Sequence, residues 1–150
     1  MLAQIPATFC NPSVESIPSP AKDLPPRERK YALVVDDEPL VRWAIAETLR
    51  LEGYEVDETG DADSTVHALC TAEKLPDVVL LDLCLPDCSD LTLLETVRLL
   101  APTATAILMT AYGTPAVRER ARRLGAAGVL DKPFNVDDLA GLVAAFRTRA

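Results

Sequence analysis

Five polar residues, far apart in the chain, have types and settings that could do chemistry together. Asp36 and Asp37 follow the apolar run YALVV and precede Glu38, so three carboxylates crowd together where a buried segment ends. Like charges this close repel unless something positive sits among them. Asp82 closes a second apolar run, DVVLLD, Thr110 closes ATAILMT, and Lys132 follows AGVLD. Carboxylates in an oxygen-rich setting suit a hard divalent cation, and magnesium would offset their mutual repulsion. Thr110 can donate a hydrogen bond, and Lys132 can neutralise an incoming anion. A phosphoryl group would use all of these features at once. Asp82, on the middle strand, is then the candidate nucleophile, because carboxylates can form aspartyl phosphates. Positioning and charge neutralisation would carry most of the catalysis.

These residues can meet only if the intervening elements bring them together. YALVV (31–35), YEVDET (54–59), DVVLLD (77–82), ATAILMT (104–110) and AGVLD (127–131) read as strands. Helix-length amphipathic stretches separate them. The first covers about 38–52, with Leu40, Ala44, Ile45, Leu49 and Leu51 supplying much of its apolar side and Gly53 ending it. A second covers about 62–73, before Pro76, and a third about 89–100, with Ser89 or Asp90 near its N-cap. Pro115 opens a fourth, closed by Gly125, and the fifth covers 136–148 with Asp137 and Asp138 in its first turn. Five βα units in about 120 residues predict a parallel sheet with helices on both faces and right-handed crossovers. An eight-unit barrel needs roughly 250 residues, so an open doubly wound sheet is expected. In such a sheet the strand ends share one edge, where ligands bind at the topological switch.

Composition narrows the function classes. The 150 residues are 49% hydrophobic, enough for one well-filled domain and too few for two ordinary ones. A formal net charge of -8 argues against a general nucleic-acid binder. No apolar run approaches the roughly 20 residues that span a bilayer, and MLAQIPATF lacks a positive n-region, so a cytoplasmic location is expected with no membrane partner. The four cysteines are irregularly placed and expected to be small buried or half-buried side chains, not disulfides or a zinc site. Residues 1–29 hold half of the prolines and no sustained periodicity, so they read as a flexible Pro-rich leader preceding a domain over 30–150. No GxxxxGK loop follows the first strand, which speaks against nucleoside triphosphate binding.

The ordered set VVDDE, LLDLCLPDCSDL, ILMTAYG and VLDKPF resembles the receiver domain of bacterial two-component response regulators, and its last two motifs look most like receivers of enhancer-binding transcription activators. The resemblance covers about residues 30–148. It implies a flavodoxin-like α/β fold, a doubly wound five-stranded parallel sheet of order 2-1-3-4-5. It further implies a phosphorylation-dependent signalling switch, magnesium-dependent, in which a sensor histidine kinase or a small phosphodonor phosphorylates Asp82. Asp36, Asp37 and Asp82 then form the acidic pocket. Asp37 is the preferred direct ligand, Asp36 binds directly or through water, and the backbone carbonyl of Cys84 adds a further metal contact. Thr110 resembles the switch hydroxyl and Lys132 the lysine that pairs with the phosphoryl group, and the Lys132-Pro133 bond is expected to be cis. Such a domain promotes its own phosphorylation and dephosphorylation and is not a conventional turnover enzyme. Two positions depart from the family: Asp90 stands where Gly is frequent, and Val129 where many receivers carry Tyr or Phe.

Simpler roles compete at each position. Asp36 and Asp37 alone would suit a helix N-terminus, as Glu38 does; Thr110 would suit a turn cap, and Lys132 a solvated surface. Their joint appearance favours the common site. His67 is assigned to surface or packing. Arg118, Arg120, Arg122 and Arg123 make either a solvated face balanced by Glu119 or, by the resemblance, part of a helix 4, strand 5, helix 5 surface for a homodimer or an output domain, without direct nucleic acid contact. The competing functional reading is a non-phosphorylated receiver-like interaction module, which loss of a pocket acid or the lysine would have favoured.

Overall fold

The computed structural model describes residues 29–149, and the expected Pro-rich leader lies outside the described residues. Five strands alternate with five helices: β1 (Tyr31–Val35), α1 (Pro39–Leu51), β2 (Glu55–Thr59), α2 (Ala62–Thr71), β3 (Val78–Asp82), α3 (Thr92–Leu100), β4 (Thr105–Thr110), α4 (Pro115–Arg123), β5 (Gly128–Asp131) and α5 (Leu139–Arg149). The strands form one parallel sheet in the order 2-1-3-4-5. This is the doubly wound sheet expected from the alternation, with the flavodoxin-like order that the resemblance implies.

Side-chain alternation along each strand divides the core into two. Ala32, Val34, Val78, Leu80, Ile107 and Met109 face α1 and α5, where they meet Ile45, Ala46, Leu49, Leu139 and Val143. Leu33, Val35, Val79, Leu81, Ala106 and Leu108 face the opposite layer, meeting Leu69 of α2, Leu93, Leu94 and Val97 of α3, and Ala121 of α4. Every residue of β3 and of β4 is buried, as strands covered on both faces require. Helix α4 buries Ala121 fully, while Val117 and Leu124 pack only partly against the same core.

Local chemistry sets most boundaries. Asp61 accepts from the Ser64 N–H and Thr114 from the Val117 N–H, capping α2 and α4, and Pro39 and Pro115 occupy the first turns of α1 and α4. Gly53 and Gly125 end α1 and α4 at φ 95° and 100°, which side chains bearing a Cβ rarely adopt.

The structure corrects four expectations. Leu40 and Leu51 are 82% and 81% exposed and do not belong to the apolar side of α1. Eleven residues apart, they align with each other at about 100° per residue, but both point well away from Ile45 and Leu49. Helix α3 starts at Thr92, later than expected, because the Asp90 carboxylate accepts from the Thr92 N–H at 2.9 Å and holds a turn first. Asp137 and Asp138 lie in a 3-10 turn (Val136–Asp138) ahead of α5, where the Asn135 side chain accepts from the Asp137 N–H at 3.0 Å. Among the described cysteines, Cys70 and Cys84 are exposed free thiols and Cys88 is half-buried as expected, while Cys10 lies outside the described residues.

Candidate functional site

Register delivers the acids to one place. Val35 lies opposite Leu81, so Asp36 and Asp82 each stand one step further along adjacent strands. Thr110 lies opposite Asp131, and Lys132 is the next residue. The Lys132 N–H donates to the Thr110 carbonyl at 2.7 Å, which fixes the end of β5 against the end of β4. The Lys132-Pro133 peptide is cis.

Asp36 is wholly buried, Asp82 is 5% exposed and Thr110 1% exposed. Charged side chains are almost never buried this deeply without partners. The Lys132 ammonium supplies one, donating to Asp36 Oδ2 at 2.7 Å and lying 3.2 Å from Asp82 Oδ2. The remaining oxygens take backbone donors: Asp36 Oδ1 accepts from the Glu38 N–H at 2.9 Å, and Asp82 Oδ1 accepts from the Cys84 N–H at 3.1 Å. Asp37 is exposed at the rim, and one carboxylate oxygen from each of Asp36, Asp37 and Asp82 falls within a 4.8 Å cluster. Three carboxylates against one ammonium leave two formal negative charges in the cluster. Hard oxygen donors, close spacing and this surplus charge position the cluster to chelate a divalent cation such as magnesium.

Electrostatics differ between the two central residues. Burial pushes the Asp82 carboxyl above its ordinary range, with Asp36 adding to the effect, against the opposing pull of the Cys84 N–H and Lys132. Burial works to lower Lys132, but its hydrogen bond and charge contact with Asp36, joined by Asp82, outweigh that and hold it above its ordinary value. The ammonium therefore stays charged, while Asp82 is an unusually basic carboxylate.

Among the residues singled out from sequence, Asp36, Asp37, Asp82 and Lys132 converge directly. Thr110 closes the same edge, and its Oγ1 accepts from the Tyr112 N–H at 3.1 Å, so its hydroxyl both terminates a turn and lies beside the cluster's lysine strand. The Cys84 backbone meets the cluster through its N–H, which donates to Asp82 Oδ1. Glu38 stands at the N-cap of α1 but makes no side-chain cap bond; its contribution to the site is its backbone N–H. Asp90 needs no left-handed backbone, since no non-glycine described residue has positive φ. Val129 is half-buried on β5 and Tyr112 is 79% exposed.

Sequence passed over Arg42 and grouped Arg118 with the other arginines of α4, but both make specific contacts. Arg42 of α1 reaches back to donate to the Asp36 carbonyl at 2.7 Å. Arg118 is not part of a solvated face: it donates to the Gly113 carbonyl at 3.1 Å and the Val129 carbonyl at 3.5 Å, and pairs with Asp131. Glu119 instead pairs with Arg122 and Arg123. For Arg42 a faint signal existed, a cation on the helix that starts immediately after the paired acids.

Comparison with known proteins agrees with this geometry. The family model for the response regulator receiver domain matches residues 32–144. The probable transcriptional regulatory protein TcrX of Mycobacterium tuberculosis is 38% identical over 109 residues, 71% of this chain and 45% of its own length. The DNA-binding transcriptional regulator NtrC of Proteus hauseri is 33% identical over 110 residues, 73% of this chain and 23% of its own length. The chain thus spans less than half of each of these two relatives. A solved response regulator from Burkholderia pseudomallei, bearing a phosphorylated aspartic acid, a calcium ion and citrate, superposes with a TM-score of 0.71 at 28% identity, over 80% of this chain and 69% of that one. With the strand order, the acid cluster at the strand ends and these matches in agreement, the chain belongs to the response regulator receiver domain family.

Proposed function

We propose that this domain accepts a phosphoryl group on Asp82 from a sensor histidine kinase and thereby switches the surface it offers to its partners. The observation that carries this reading is the contact of one lysine with two buried acids on adjacent strands, beside a third acid at the rim. A structural ion pair would need one acid for one base. Here the surplus carboxylates prepare a site for a cation and a dianionic group. The phosphorylated aspartic acid of the Burkholderia pseudomallei regulator supports the same chemistry.

In this reading a carboxylate oxygen of Asp82 forms a bond to phosphorus while the bond from phosphorus to the donor imidazole nitrogen breaks, and the electron pair leaves with the imidazole. Bound magnesium, held by Asp36, Asp37, Asp82 and the Cys84 carbonyl, would supply positive charge to the phosphoryl oxygens. The elevated basicity of Asp82 makes it a better nucleophile than an ordinary surface carboxylate. Lys132 exchanges part of its contact with Asp82 for the new phosphoryl oxygens, and the Thr110 hydroxyl donates a hydrogen bond to another of them. An open apolar groove lined by Leu40, Val41, Ala44, Pro133 and Phe134 adjoins Lys132 and offers the kinase a place to dock. The helix α4, β5 and α5 face serves as the output or homodimer surface in the same proposal, with residues 30–150 as the switching domain.

The test is mass measurement of the intact chain after incubation with magnesium and a small acyl phosphate. The parent gains one phosphoryl group, and the Asp82→Asn variant gains none. A folded parent that gains no phosphoryl mass from either the acyl phosphate or a kinase sinks the reading, and an Asp82→Asn variant that still gains it moves the site elsewhere.

A further inference from the structure

Asp37 poses a problem that the rest of the cluster does not. Asp36 is anchored through its N–H to the Thr59 carbonyl at 3.1 Å, and its two carboxylate oxygens take the Glu38 N–H and the Lys132 ammonium. Asp82 is anchored by the Cys84 N–H and Lys132. The Asp37 side chain is exposed, and no described residue donates to its carboxylate. Its aim must come from its backbone. The peptide that joins Asp36 to Asp37 is gripped at its carbonyl oxygen by Arg42 Nη1, at 2.7 Å.

The grip is built into the surroundings of the guanidinium. Gly60, in the turn between β2 and α2, leaves the space that Arg42 fills: a Cβ there would stand 3.0 Å from Nη1 and 3.9 Å from the Asp36 carbonyl. Glu58 Oε1 lies 3.4 Å from Arg42 Nε and balances its charge, though Nε itself is buried and makes no hydrogen bond. A buried donor left without a hydrogen bond is costly. What the side chain gains in this slot is the charge of Glu58 and a strong bond to the carbonyl between the two acids.

We infer that Arg42 is a positioning residue for the cation site, fixing the Asp36–Asp37 peptide so that the Asp37 carboxylate faces Asp82. This rests on reading the acid cluster as a magnesium site. The arginine touches neither cation nor phosphoryl group and acts through Asp37. Its loss lets the peptide rotate, and the exposed Asp37 side chain then samples orientations away from the cluster.

Calorimetric titration of magnesium chloride into the full chain, without any phosphodonor, tests this. Five proteins are compared: the parent, Arg42→Ala, Asp37→Asn, the double variant, and Arg42→Lys, which keeps the charge and a donor group. Removing a group that orients a metal ligand typically weakens binding by about tenfold or more, and that is the loss expected for Arg42→Ala. Arg42→Lys recovers part of it. In the Asp37→Asn background, Arg42→Ala has no further effect, because the residue it orients is gone. A merely structural role would lower the melting temperature and leave magnesium affinity within twofold of the parent, which overturns the inference. Equal losses in both backgrounds overturn it too. If Arg42→Ala fails to fold, Arg42→Lys carries the same comparison with and without Asp37→Asn. A folded parent that binds no magnesium refutes the cation-site reading itself, an outcome separate from any result on Arg42.

Discussion

At the edge of the sheet where the strands begin, each acid meets its own donor, whereas at the edge where they end two buried acids share one lysine and a third stands exposed beside them. Asp77 accepts from the Tyr31 N–H at 2.8 Å, Asp57 from the Tyr31 hydroxyl at 2.6 Å, and Glu55 pairs with Arg29 at 3.0 Å. These acids are balanced locally and hold β1, β2 and the start of β3 in line. At the other edge Asp36 and Asp82 are buried, Asp37 is exposed, and Lys132 bridges only the first two. A buried carboxylate without full compensation costs stability. The chain tolerates that cost at one edge alone, and this local imbalance marks a site that awaits a ligand. Acidity as such does not distinguish the two edges; the ratio of acids to donors does.

The sharpest way to break this comparison is to ask which acids matter for phosphoryl uptake. Asp82→Asn is expected to abolish it, while Asp57→Asn and Asp77→Asn leave it intact; intact-mass measurement with magnesium and an acyl phosphate decides. Next in size is Lys132→Met, which strands Asp36 without its cation. Breaking a buried pair in this way costs about 3 kcal/mol, so urea unfolding without divalent cations should show a loss of that order, partly recovered on adding magnesium. At the opposite edge, Tyr31→Phe deletes one hydrogen bond and is expected to cost about 1 kcal/mol with magnesium affinity unchanged. Burial, then the bond to Asp57, raises the Tyr31 phenol above its ordinary 10.0. Its contribution is therefore fully present below pH 10 and is lost as pH rises beyond, a decline that Tyr31→Phe should remove from a pH series of melting temperatures.

The smallest effect has the most telling sign. Because Asp82 is held above its ordinary value of 3.8, its ionised form is disfavoured in the folded chain. The penalty is absent below pH 3.8, grows as pH climbs through the raised value and is complete above it. Asp82→Asn should therefore raise the melting temperature at pH 7 in metal-free buffer, with the gain fading in acid. Asp57→Asn should lower it. Matching signs at the two edges would dissolve the contrast.

The sequence made the architecture readable because its signals were local and strong. The apolar runs of β1, β3 and β4 could be nothing else in an alternating chain, and punctuation by Gly53, Pro115 and Gly125 placed the breaks between them. The acids, Thr110 and Lys132 were legible as a group because the strand order puts their positions on one edge. Other features depend on three-dimensional contacts that no period reports. Leu40 and Leu51 look like core leucines until the rotation of α1 is fixed by Ile45 and Leu49. Asp90 stands where the family frequently has Gly, and its carboxylate works as an acceptor just ahead of the next helix. Arg42 and Arg118 resemble ordinary surface cations, and only folding shows that each reaches a backbone carbonyl near the site.

The manner in which α4 is attached has a mechanical corollary. Its fully buried contribution is the single methyl group of Ala121, helped by the flanks of Val117 and Leu124, and Arg118 ties it to Gly113, Val129 and Asp131. Helices α1, α3 and α5, by contrast, each press larger side chains into the sheet. Local opening is cheapest where apolar anchorage is least, so backbone amides of α4 should exchange with solvent before those of α1 or α3. A displacement of α4 would uncover little of the core beyond Ala121 and its flanks. By its anchorage the helix is therefore the most loosely held of these four.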